Sequence, residues 1–180
     1  DELGETNALT TYEAVLRTVS LICASLRLLR TAFDKIHVCA TPGNHGRNGK
    51  PRAKLVCETN SDWLIYCLCQ RELAGDPAIT WAIDQGDDIL LTIGRNTYCI
   101  THGDRMGVKG GDGIIGSIGP IMRGSIKIGA QKRSLGADFD VLAIGHWHQH
   151  IPLRSVRAGN CLIGPNEYSV GILRAPPSVP

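Results

Sequence analysis

The stretch Ile36-His37-Val38-Cys39-Ala40-Thr41-Pro42-Gly43-Asn44-His45 shows the pattern from which the fold of this chain is predicted. Its first six residues are mostly apolar or β-branched, and Pro42-Gly43 ends the run, so we predict a buried strand over residues 36–41. Two polar residues, Asn44 and His45, follow the strand directly. The glycine before them lets the backbone turn sharply and approach a ligand closely.

Two later apolar runs end in the same way. Residues 97–101 lead into His102-Gly103-Asp104, and residues 140–144 lead into Gly145-His146-Trp147-His148. In open α/β sheets, functional groups gather in the crevice beyond the carboxyl ends of the strands. We therefore expect one asparagine and four histidines to converge on one point: Asn44, His45, His102, His146 and His148.

These side chains favour a particular class of metal ion. Imidazole nitrogens and an amide oxygen form a borderline ligand set, which suits Zn, Mn, Fe or Ni and does not suit a calcium cage. Each short motif is weak by itself. Their order along the chain, each at the end of a predicted strand, predicts a divalent metal centre.

The rest of the pattern predicts a single α/β domain over residues 1–174. Apolar residues at steps of three and four predict a helix from the Thr10–Glu13 capping box to about Phe33, and a second helix is expected over residues 61–74 with Ser61 as its cap. We predict that three short strands form antiparallel hairpins, at 79–84, 89–93 and 97–101. Further predictions are a glycine-rich loop or broken helix over 103–119, two or three short strands within 151–173, and a frayed, proline-rich tail at 175–180.

Composition excludes several classes of protein. The chain has 180 residues, with 19 Lys and Arg against 17 Asp and Glu, so it is neither a strongly basic DNA-packaging protein nor an acidic disordered tail. No apolar run is long enough to cross a bilayer, and the first residues do not resemble a signal peptide. The 7 cysteines form no CxxC pair, which favours buried thiols in a reducing compartment and a cytoplasmic protein over a disulfide framework or a thiolate zinc site.

Taken together, the motifs resemble those of the calcineurin-like metallophosphoesterases. The later motifs of that family are Gly-Asn-His-Asp/Glu, an isolated His and Gly-His-x-His, and the likeness covers about residues 5–170. The stretches 46–54 and 110–116 are similar to phage-associated members, which implies the host cytoplasm as location. The resemblance implies a two-sheet α/β/β/α metallophosphoesterase sandwich with the helices outside.

The same resemblance implies a role for each residue. Asn44, His102 and His146 would hold one metal of a pair, and His148 would reach the other. His45 would be the acid that protonates the leaving oxygen. The complete enzyme would hold two divalent metal ions, and this chain one or none.

The chain also departs from the family pattern. No Asp-x-His occurs anywhere, no Gly-Asp precedes residue 43, and Gly46 stands where the family has the carboxylate that orients the catalytic histidine. Asp104 is a candidate substitute for that carboxylate. We expect the chain to be the carboxyl-terminal four-fifths or so of an enzyme, to bind one metal weakly and to hydrolyse slowly. The strand at 36–41 should then expose an apolar face or edge through which the chain associates with itself.

Positive charge follows two of the predicted metal-ligand turns. The first basic stretch starts at Arg47 and the second at Arg105, and the second has only Asp112 as an acidic residue before Arg133. We predict that Arg47 and Arg105 bind substrate, and that the substrate is a phosphodiester of DNA or RNA. Ordinary solvated loop charges are the alternative reading.

Two other functional classes remain open. The chain could be an inactive relative that binds nucleic acid or a partner chain without turnover, and metal-dependent hydrolysis separates that class from the enzyme. A structural zinc domain would need a closed site of four ligands and would unfold when a chelator removes the metal. His37, in the middle of a strand, is predicted to be structural, and His150 is expected to face solvent or to make an outer hydrogen bond.

Overall fold

The fold is mixed α/β, with three helices and two sheets among the residues that are described in this computed structural model, which are 8–49, 59–86, 88–106, 118–160 and 162. The predicted fold class is confirmed at this level. The predicted tail at 175–180 and the expected strands beyond residue 162 lie outside the described residues. The chain divides into two compact units, Asp1–Asp87 and Asp88–Pro180.

The first unit is built on a pair of parallel strands. β1 and β2 run in register from Ile36 opposite Ile79 to Ala40 opposite Ile83. The prediction that residues 79–84 form an antiparallel hairpin is therefore wrong, because a helical crossover returns the chain in the same direction. The elements of this unit are α1 (Thr11–Arg30), β1 (Ile36–Ala40), α2 (Ser61–Glu72) and β2 (Ile79–Ile83).

Helix α1 begins at the predicted capping box, but its packed face is narrower than its apolar stripe. The Thr10 hydroxyl accepts a hydrogen bond from the Glu13 N–H, and the Glu13 carboxylate accepts one from the Thr10 N–H at 2.9 Å. Val19, Cys23 and Leu26 are buried and share a cluster with α2. Other members of the stripe are exposed, so the helix has a largely uncovered apolar side: Tyr12, Leu16, Leu29 and Phe33.

The N-cap of helix α2 lies one residue earlier than the predicted cap, Ser61. Asn60 is its N-cap, because the Asn60 side chain accepts a hydrogen bond from the Asp62 N–H at 2.8 Å. The helix ends at Glu72, two residues before the predicted end. Ile65 and Cys69 are its buried residues.

The second unit is a five-stranded sheet with one helix. The strand order is β3-β4-β5-β7-β6, in which β4, β5 and β7 are parallel neighbours. β3 and β4 form the antiparallel hairpin that the sequence predicts, with Ile89 opposite Ile100. The elements are β3 (Ile89–Ile93), β4 (Asn96–Thr101), α3 (Ile118–Ser134), β5 (Val141–Ile144), β6 (Ile151–Pro152) and β7 (Val156–Ala158).

Helix α3 is a feature that the sequence pattern did not predict. Pro120 and three glycines lie within its 17 residues, and each glycine lowers helix stability by about 1 kcal/mol relative to alanine. Tertiary packing outweighs this cost, because Ile121 and Ile128 are buried in the core of the unit with Cys99, Leu142 and Val156. Residues 107–117, most of the predicted glycine-rich loop, lie outside the described residues.

Two further predictions concern membrane crossing and the burial of the cysteines. The helices among the described residues include no segment with the length and apolar character that a bilayer crossing requires. Cys23, Cys69 and Cys99 are completely buried thiols, as predicted for small apolar residues, and burial raises the pKa of Cys69 and of Cys99 to about 12.

Candidate metal centre

His102 and His146 follow neighbouring parallel strands and lie side by side. The last residues of β4 and β5, Thr101 and Ile144, are paired in the sheet. The Gly145 N–H donates a hydrogen bond to the His102 carbonyl oxygen at 3.0 Å, which holds the two turns together. The imidazole rings of His102 and His146 meet edge to face, with ring centroids 5.2 Å apart.

The His102 ring packs over Gly145 on the neighbouring turn. A Cβ atom at that position would lie 3.5 Å from Nδ1 of His102, so the His102 ring covers the glycine at van der Waals distance. Gly103 on the other turn has a φ of +102°, which a residue with a side chain rarely adopts. Gly103 therefore provides the backbone conformation of the turn after β4, and Gly145 contacts the His102 ring.

The backbone of the Gly-His-x-His motif is strained at both histidines. His146 has a φ of 64° and His148 a φ of 52°, and among the described residues these are the non-glycine positions with positive φ. Histidine enters the left-handed region more readily than most residues, yet such positions cost about 1–3 kcal/mol and cluster at functional sites. The strain thus marks both predicted ligands of this motif.

Trp147, between the two strained histidines, packs against the core of the second unit. Its ring meets that of His146 edge to face, with centroids 5.9 Å apart. The buried Nε1 atom of Trp147 has no hydrogen-bond partner within the described part of the chain. This packing fixes the turn that carries His146 and His148.

Asn44 and His45 lie in the first unit, in a turn held by the start of α2. Gly43 is fixed at both its polar atoms: its N–H donates to Oδ2 of Asp62 at 2.8 Å, and its carbonyl accepts from Nδ2 of Asn60 at 2.8 Å. Asn44 is half-buried and His45 is exposed. The turn is therefore rigid next to the two predicted functional side chains.

Asp62 is a candidate site residue that sequence reasoning missed. A Cβ atom at Gly46 would lie 2.5 Å from Cγ of Asp62, so the Asp62 carboxyl group fills the space beside that glycine. Burial raises the pKa of Asp62, whereas the Gly43 N–H and the positive charge of His45 act to lower it. Asp62 thus interacts electrostatically with His45, and the role expected for Asp104 stays a prediction. The sequence signal was the spacing of Asn60 and Asp62 at the start of a helix.

The predicted substrate-binding arginines lie beside the two turns. Arg47 is half-buried and forms a β-bridge with Asn60, while Arg105 is exposed and precedes the buried Met106. Part of the basic stretch that follows Arg105 is already paired: Lys132 lies 3.0 Å from Asp88, and Arg133 lies 3.8 Å from Asp138. Lys50, Arg52, Lys54 and Lys109 lie outside the described residues.

The other two histidines occupy less distinctive places. His37 is exposed on β1, and its Nδ1 lies 2.8 Å from Oγ1 of Thr80 on the paired strand, which fits a structural role. His150 is exposed, as expected.

The donor chemistry fits a divalent metal ion only in part. The adjacent imidazoles of His102 and His146 are suitable nitrogen ligands, and zinc–nitrogen bonds of about 2.0–2.1 Å would allow rings this close to share one ion. Within the described ranges, however, no group of three or more His, Cys, Asp and Glu side chains is placed to hold a metal. The convergence of Asn44 and His45 with the three histidines of the second unit stays a prediction.

Comparisons of the chain with protein families, curated proteins and solved structures found no match. The functional proposal therefore depends on the residues and their geometry.

Proposed function

We propose that the chain is a metal-dependent phosphoesterase that hydrolyses phosphodiesters, with nucleic acid as substrate. The observation that carries the proposal is the pair of strained histidines, His146 and His148, next to the imidazole of His102. A fold retains left-handed backbone at two histidines when the positions of those side chains matter more than the local strain.

The arrangement of the second unit supports the metal part of the proposal. His102 and His146 follow parallel strands at the same edge of one sheet, which is where open α/β sheets gather functional groups. Asn44, His102 and His146 would hold one metal ion and His148 would reach a second, in a two-sheet metallophosphoesterase sandwich. A bound divalent ion would supply a hydroxide nucleophile and neutralise charge on the phosphoryl oxygens.

The first unit would supply the proton. We assign His45 as the acid that protonates the leaving oxygen, since histidine is the side chain that most often serves as a general acid in enzymes. The negative charge of Asp62 would attract His45, and the hydrogen bond that the Asp62 carboxylate accepts from the Gly43 N–H keeps that carboxylate in place. The exposed Arg105 would contact the phosphate of the substrate. Buried thiols agree with a cytoplasmic location for this reaction.

Hydrolysis of bis-p-nitrophenyl phosphate in Mn²⁺ tests the proposal. We expect slow turnover that EDTA abolishes, and a loss of at least about 10-fold in His102→Gln, because even outer-shell changes at metal sites cost about 10–100-fold. His150→Gln is the matched control, since it removes an exposed imidazole two residues beyond His148 and should leave the rate unchanged. Equal rates in both variants, or turnover that survives EDTA, would overturn the enzyme assignment.

The same samples separate the competing classes. An inactive binding module would retain nucleic acid without any metal-dependent turnover. A structural zinc domain would lose its far-ultraviolet circular dichroism when EDTA is added, because metal binding and folding are then coupled.

A further inference from the structure

A cleft lies at the amino-terminal ends of β4 and β5, whereas His102 and His146 follow the carboxyl-terminal ends of the same two strands. Its lining includes Asn96 at the start of β4, Val141 at the start of β5 and Ser155 just before β7. The two histidines follow the other ends of β4 and β5. The six residues of β4 therefore separate the cleft from the candidate metal centre by roughly 20 Å.

Three arginines dominate the charge of this cleft. Arg95 comes from the β3–β4 turn, Arg154 from the turn before β7, and Arg157 from β7 itself. Within the described part of the chain, no carboxylate lies within 4.0 Å of any of the three guanidinium groups. Three cations thus share one concave surface, and the described carboxylates form no ion pairs with them.

The acidic residue of the cleft is already engaged. Asp140 lines the same surface, and its Oδ2 accepts a hydrogen bond from the Thr97 N–H at 2.7 Å, which ties it to β4. Arg157 is also oriented, because its Nη1 donates to the Val156 carbonyl at 3.1 Å. The cleft therefore keeps an excess of positive charge and at least one oriented guanidinium.

The remaining lining supplies neutral donors and space. The Asn96 amide, the Tyr98 hydroxyl and the Ser155 hydroxyl lie among the arginines. The volume of about 720 Å³ falls within the range of roughly 300–1,000 Å³ that ligand sites have. Guanidinium groups match the geometry of phosphate oxygens, and a cleft of this size accommodates more than one phosphate group.

We propose that this arginine-lined cleft is a phosphate-binding site for a nucleic acid strand, separate from the candidate metal centre. Arg95, Arg154 and Arg157 would contact successive phosphate groups of the strand backbone. Contacts of this kind give affinity without sequence preference and make binding strongly dependent on salt.

Fluorescence anisotropy of a labelled single-stranded oligonucleotide in EDTA, measured over a range of salt concentrations, tests this proposal. Each lost arginine–phosphate contact should reduce the slope of log K against log salt by about 0.7. We expect Arg95→Gln/Arg154→Gln to lower the slope by about twice that amount and to weaken binding at low salt. Arg17→Gln, an exposed charge on α1, should change neither quantity.

Two results would contradict the proposal. Equal slopes in the wild type and in Arg95→Gln/Arg154→Gln would show that the cleft does not contact the strand. Competition by a mononucleotide or by inorganic phosphate that matches the oligonucleotide would overturn the assignment to a strand. Because EDTA removes metal from all samples, neither result depends on whether His102 and His146 bind an ion.

Discussion

Gly46 leaves a space in the Gly-Asn-His turn that the Asp62 carboxyl group and the Asn60 amide fill. A Cβ atom at position 46 would lie 2.4 Å from Oδ1 of Asn60 and 2.5 Å from Cγ of Asp62. Asn60 caps α2, and Asp62 binds the Gly43 N–H. One glycine therefore allows a helix start to brace the turn that carries Asn44 and His45.

We predict that Gly46→Ala destabilises the protein by about 1–3 kcal/mol, because the new methyl group displaces both side chains. Urea unfolding measures the change. Gly49→Ala is the control, since no atom of the described residues lies within 4 Å of a Cβ atom there, and a change within about 0.5 kcal/mol is expected. Equal stabilities of the two variants would show that Asp62 does not occupy this space.

Asp62 should also make stability depend on pH. Its pKa in the folded protein is raised above the ordinary value of 3.8, chiefly by burial, so the folded state holds the proton more tightly than the unfolded state does. The contribution of Asp62 to stability should therefore decrease as the pH rises from 3.8 through the raised pKa, and this decrease should be complete above it.

Asp62→Asn removes this titration and keeps the size of the side chain. As the pH rises through that window, the unfolding free energy of the wild type should fall relative to that of Asp62→Asn. Urea unfolding between pH 3 and pH 7 measures it. A difference that stays constant with pH, or that shifts in favour of the wild type, contradicts the raised pKa.

At the level of elements, helix α3 depends on a close contact with the loop after β4. A Cβ atom at Gly124 would lie 2.5 Å from Cε and 2.8 Å from Cβ of Met106, which is 3% exposed. This contact anchors the residues that follow His102. A glycine within a helix is here a packing requirement rather than a defect.

We predict that Gly124→Ala lowers stability by about 1–3 kcal/mol, although alanine favours a helix by about 1 kcal/mol. Gly129→Ala in the same helix is the matched control. Its nearest neighbour would be the flexible end of Arg133 at 3.4 Å, so this variant should be as stable as the wild type or more stable. Thermal or urea unfolding of both proteins distinguishes them, and a stabilised Gly124→Ala would contradict the contact.

The sequence predicted most elements because their local signals agreed with their packing. The capping box set the start of α1, and the turn at 94–95 set the β3–β4 hairpin. The sequence failed where long-range packing decided the outcome. The partner of β2 depends on a crossover through α2, and α3 forms in spite of Pro120 and its glycines because its apolar face is buried.

The residues of the candidate site show the same contrast between local sequence signals and long-range packing. Motif order placed His102 and His146 correctly at the ends of neighbouring strands, because residue spacing and strand ends are local features. Asp62 was missed, because the sequence alone does not reveal that a residue 16 positions beyond Gly46 fills the space beside it. The left-handed backbone at His146 and His148 is likewise invisible in the sequence.

At the scale of the whole molecule, the chain forms two compact units, and the predicted site residues are divided between them. Asn44, His45 and Asp62 belong to the first unit, and His102, His146 and His148 belong to the second. The near-balance of 19 basic and 17 acidic residues hides a local excess of positive charge, since three arginines line one cleft of the second unit. Self-association through β1 stays a prediction: within the described residues this strand pairs with β2 alone.

The whole functional proposal requires that His102 and His146 bind one divalent metal ion. The most direct measurement is the electron paramagnetic resonance signal of free Mn²⁺ during a titration with the protein. His102→Gln and His146→Gly should weaken binding by at least about 10-fold, and the glycine keeps the left-handed backbone accessible. His150→Gln should bind Mn²⁺ like the wild type. Equal binding by all four proteins, or no binding by the wild type, would contradict the claim.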